Sequence, residues 1–76
     1  MSSLLGDRIE EAITPIVGTV LAAVSVDLES KRIGKSRETL TRSDLAVIAD
    51  NLEEQLRLVV GEDLARAAAQ RVRDLP

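Results

Sequence analysis

Apolar residues recur at helical spacing most clearly in the second half of the chain. Leu45, Ile48, Leu52, Leu56 and Val59 fall three or four positions apart, with Ala49 and Val60 widening the stripe. Asp50, Glu53, Glu54 and Arg57 lie mostly on the opposite side. Thr41-Arg42-Ser43-Asp44 has the form of a capping box, with Leu40 and Leu45 placed to close a hydrophobic staple around it. Gly61 offers a left-handed stop. The pattern predicts a helix over about residues 42–60.

Glu62 and Asp63 then sit at the positive end of a further helix, with Leu64, Ala68, Val72 and Leu75 as its apolar stripe and Arg71 and Arg73 near its negative end. This predicts a helix over about 62–75, turned back at Gly61 in a tight corner.

The first half is less regular. Leu5, Ile9 and Ile13 are in line as on a helix, and Thr14-Pro15 reads as a kink or a new helix start. From there Ile16, Val17, Val20, Leu21 and Val24 spread over a wide apolar arc, while Gly18, Ala22 and Ser25 form a stripe of small residues on the other side. Lys31, Arg32 and Gly34 resemble a helix C-terminus. The prediction is a helix over about 4–30. A competing reading takes residues 16–29 as a strand, because Val24, Val26 and Leu28 alternate with Ser25, Asp27 and Glu29. A lone strand would need a partner strand from a second copy. Residues 33–40 read as a polar connection, and no internal repeat stands out.

The expectation is therefore an all-α fold: a single small domain over residues 1–76, a bundle of three helices, or four if the chain breaks at Pro15. The chain is 76 residues long, with neither aromatic residues nor cysteine nor histidine. A core this small, built from mid-sized aliphatics, has no rings, disulfides or zinc to supplement it, which leaves self-association as the remaining aid. The expected arrangement is homo-oligomeric, with Val17, Gly18, Leu21, Ala22 and Ser25 as the contact, the large apolar arc being turned to the chain's own core; the alternative for the small stripe Gly18, Ala22 and Ser25 is close packing of this helix against its neighbours inside one subunit.

Catalysis draws mostly on residue types that are missing or isolated here. No histidine stands ready to activate a serine, and adjacent glutamates such as Glu53 and Glu54 point about 100° apart on a helix. Gly34-Lys35-Ser36 has the closing letters of a phosphate loop without its upstream glycine or strand. Neither a metal, a cofactor nor an enzymatic role is expected. Lys31, Arg32, Lys35, Arg37 and Arg42 form a cluster of cations. It reads first as a solvated loop and second as a contact for an acidic protein surface. The net charge of −3 and the lack of stacking aromatics argue against nucleic acid.

A helix-turn-helix at Gly61 would lead with Glu62 and Asp63 toward phosphates, which disfavours it. The uncharged run Ala12–Val26 is too short to span a bilayer and is interrupted by Pro15 and Gly18. The functional expectation is a cytoplasmic, homodimeric adaptor or regulatory interaction module; the alternative is a small DNA-binding regulator using the last two helices and the 31–42 loop.

Overall fold

The computed structural model describes residues 4–76, which form α1 (Leu5–Val17), α2 (Thr19–Arg32), a 3₁₀ turn (Arg42–Asp44), α3 (Leu45–Val60) and α4 (Glu62–Arg73). No strand occurs among them, and the fold is an all-α bundle of four helices. Residues 16–29 are helical on both sides of Gly18, so the strand alternative is discarded.

The break in the first half falls at Gly18 and not at Pro15. Pro15 lies in the last turn of α1, where the Thr14 hydroxyl donates to the Glu10 carbonyl at 2.7 Å and the Gly18 amide closes on the Thr14 carbonyl at 2.8 Å. At Gly18 the backbone turns to φ 89° and ψ 163°, a region open essentially to glycine alone. Gly61 has nearly the same geometry, φ 93° and ψ 166°, between α3 and α4. The chain is thus two successive helix–glycine–helix units.

The two units correspond in more than their corners. Adding 43 to a residue number in the first unit gives its counterpart in the second, as Gly18 gives Gly61. At that offset Asp7/Asp50, Glu10/Glu53, Glu11/Glu54, Val17/Val60, Leu21/Leu64 and Ala22/Ala65 are identical. The buried positions match as well: Ile9 with Leu52, Ile13 with Leu56, Ser25 with Ala68, Val26 with Ala69 and Glu29 with Val72. In both units an arginine takes the two acids of the first helix, though from positions that do not correspond: Arg37 in the loop after α2 and Arg73 at the end of α4. Arg37 binds Asp7 and Glu10, and Arg73 binds Asp50 and Glu53. An internal repeat is therefore present although none was expected. It is carried by burial and acid placement more than by identity.

The packing of the units is unequal. α3 lies against α4 over most of its length, because Ala65, Ala68 and Ala69 bring the backbones close. That rotates α4 away from the expected stripe: Ala65, Ala68, Ala69 and Val72 are buried, while Leu64 is exposed. Val59 also turns outward, and Val60 is half-buried in its place. α1 packs on both α2 and α4, and Arg71 Nε donates to the Ala12 carbonyl at 2.6 Å. The α2–α3 seam is the least extensive of the four.

The capping box forms as expected. The Asp44 carboxylate accepts from the Thr41 amide at 2.9 Å and from Lys35 Nζ at 2.7 Å, and Leu40 and Leu45 are buried beside it.

One copy encloses its own core. The accessible surface is 4464 Å² for 8.2 kDa, close to the roughly 4,500 Å² expected of a folded monomer of that mass. The expectation of an interior left open to a second copy is corrected: close helix approach over alanines fills the space that aromatics would otherwise take.

Candidate interaction surface

The faces of α2 are inverted relative to expectation. Extending the periodicity of α1 through Gly18 places the large aliphatics inward, but the corner at Gly18 resets the phase. Ala22 and Ser25 are 0% exposed inside the chain, joined by Val26, Glu29 and Ser30. Neither Ala22 nor Ser25 is available to a partner in this structure. Val17 and Leu21 are half-buried, and Gly18 is exposed at the corner. Of the five expected contact residues, only these three reach the surface at all.

The basic cluster is also rearranged. Arg37 sits at 22% side-chain exposure between α1 and α2. Its Nη1 meets Asp7 at 2.9 Å, its Nη2 meets Glu10 at 2.6 Å, its Nε donates to Asp27 at 2.7 Å, and Nη2 also reaches the Ala23 carbonyl at 3.3 Å. Partial burial works against the charge, but the hydrogen bonds to Asp27, Glu10 and Asp7 outweigh it and raise the pKa of Arg37 above its ordinary value. Lys35 is held by Asp44, and Arg32 lies 3.4 Å from Glu29. Only Lys31 and Arg42 of the five carry no ion pair among the described residues. The loop is an internal staple more than a free basic patch.

What α2 presents outward is Val20, Val24 and Leu28, one every four residues along a single ridge. Val20 is 77% exposed. Across the seam, α3 presents Leu58 at 88% and Val59 at 62%. Leu28, Leu58 and Val59, with Glu29, Arg32, Glu54 and Gln55, line a groove of about 460 Å³ between the two helices. The groove is lined mostly by apolar surface, with one unsatisfied polar group beside it. Gln55 Nε2 donates to Ser25 Oγ at 3.5 Å, and Gln55 Oε1 is buried without a hydrogen-bond partner.

Ridge and rim together expose apolar surface on the order of 500 Å², within the range of the largest patch on a typical monomer, which is often functional. Residue spacing alone contained the ridge, since Val20, Val24 and Leu28 are four apart; the outward direction was hidden by the corner at Gly18.

Among the described residues no three acidic side chains gather in a way that could hold a metal, and no helix is long and apolar enough to cross a membrane. Comparison of the chain with family models, with curated proteins and with solved structures gives no match.

Proposed function

We propose that this chain is a non-enzymatic self-association module, an adaptor or regulatory subunit that works as a homodimer through the outer face of α2 and the adjoining end of α3. The single observation that carries the reading is the exposed ridge Val20, Val24 and Leu28 beside Leu58 and Val59. Leaving so much aliphatic surface in water is unfavourable by about 25 cal/mol per Å², which is the driving force for covering it. Four acids of α1 and α3 are engaged within the chain: Asp7 and Glu10 by Arg37, Asp50 and Glu53 by Arg73. A DNA-binding role draws no comparable support, because most of the loop cations are already paired within the chain.

Light scattering on a sizing column over a hundredfold concentration range tests the reading. The expected mass is twice 8.2 kDa at high concentration, falling toward one chain on dilution. Leu58→Glu should shift the equilibrium toward the single chain while leaving helix content intact. A constant mass of one chain throughout would overturn the proposal.

A further inference from the structure

The geometry points to a particular pairing, which rests on the self-association reading above: two copies of the chain cross antiparallel on their α2 ridges, with the two-fold axis at Val24.

The internal repeat supplies a control for this inference. The positions of α4 that correspond to Val20, Val24 and Leu28 are Asp63, Ala67 and Arg71. α4 is a well-packed helix with that row, two charged residues and an alanine, facing out. The fold therefore has no need of aliphatics at this row, and their presence on α2 alone points to something outside the chain. α2 is also the helix whose seam with its neighbour is least extensive.

The ridge suits a copy of itself. Side chains four apart form the row that interdigitates with an identical row when two helices cross at about −50°, the commonest crossing in globular proteins. From Val20 to Leu28 the ridge runs about 12 Å. Two copies meeting over this face would bury about 1,000 Å², the lower bound for a specific interface.

Charge agrees with the antiparallel sense. Pairing about Val24 sets each residue of α2 opposite the one whose number brings the sum to 48, so Val20 faces Leu28 and Thr19 faces Glu29. α2 starts at Thr19 with no acid in its first turn and no side-chain cap. The same pairing lays that positive end over the groove of the other copy, where Glu54, beside Leu28, carries no ion pair among the described residues. A parallel pairing would bring like helix ends together.

The absence of native cysteine makes the register directly readable. Under mild oxidation Val24→Cys should cross-link to itself at least tenfold faster than Glu11→Cys, a control on the outer side of α1, at equal concentration. A mixture of Val20→Cys and Leu28→Cys should give the mixed disulfide faster than either variant gives its own. If the unmodified protein is a dimer by light scattering and Val24→Cys cross-links no faster than Glu11→Cys, this arrangement is overturned and self-association stands. A chain that stays single at every concentration overturns both.

Discussion

Gly6 lies directly under the Arg37 side chain: a Cβ built at Gly6 would come within 2.8 Å of Arg37 Cβ and 2.9 Å of its Cα. The contact is with the root of the arginine and with backbone, neither of which can swing aside. In Gly6→Ala two effects oppose each other. Alanine gains about 1 kcal/mol of helix propensity over glycine. The overpacking costs about 1–3 kcal/mol and displaces the loop that carries the guanidinium. The clash should win, so urea denaturation should show a net loss of about 1–2 kcal/mol. A more stable Gly6→Ala protein would contradict the close approach.

Arg37 itself joins α1, α2 and the connecting loop through three carboxylates. Arg37→Ala removes the cation that Asp7, Glu10 and Asp27 share. Hydrogen bonds to charged groups contribute about 1.5–3 kcal/mol when sheltered. Asp27 is 58% exposed, which discounts its share, so a total loss of about 2 kcal/mol is expected. Arg37→Lys should recover less than half of it, because one ammonium cannot fork to three acceptors. Equal stability of the lysine variant and the original protein would count against the staple.

The two corner glycines give a cleaner test of backbone geometry, since nothing lies within 4 Å of a Cβ at Gly18 or Gly61. Packing is therefore not at issue. Gly18→Ala and Gly61→Ala should each cost about 1–3 kcal/mol through backbone strain alone. A synthetic chain with D-alanine at either position, for which positive φ is natural, should recover most of the loss. Thermal melts of the four proteins would decide; L-alanine without effect would rule the strained corner out.

Much of the second unit was legible in advance because its signals are local. Thr41 and Asp44 cap within one turn, Gly61 stops α3, and Leu45, Ile48, Leu52 and Leu56 all point inward. The first unit was misread at one position. Treating Pro15 as the break carried the phase of α1 past Gly18 and exchanged the inner and outer faces of α2. Arg37 was legible only as a charge, since its partners Asp7 and Asp27 lie 30 and 10 positions away. The repeat escaped because apolar identity changes between units while burial and the acid pair persist.

The pH dependence of folding should carry the mark of Asp44. Its pKa lies below the ordinary carboxylate value, held there by Lys35 first and by the Thr41 amide second. A carboxylate whose pKa is depressed by folding contributes stability that is present above its unfolded value and is lost as pH falls through the folded one. The contribution is therefore complete above about pH 4 and fades below it. Asp44→Asn should flatten the acid limb of a stability-against-pH curve measured by chemical denaturation. An unchanged slope would place the acid sensitivity elsewhere.

The thin seam between α2 and α3 sets an order of events when the molecule opens. A doubled architecture with one generous and one meagre contact does not come apart all at once. The amides of α2 should trade their protons for deuterium well before those of α3 and α4, which shelter each other. The least anchored helix is then the one that carries the aliphatic ridge, so whatever settles on that ridge would also slow the exchange of the amides beneath it.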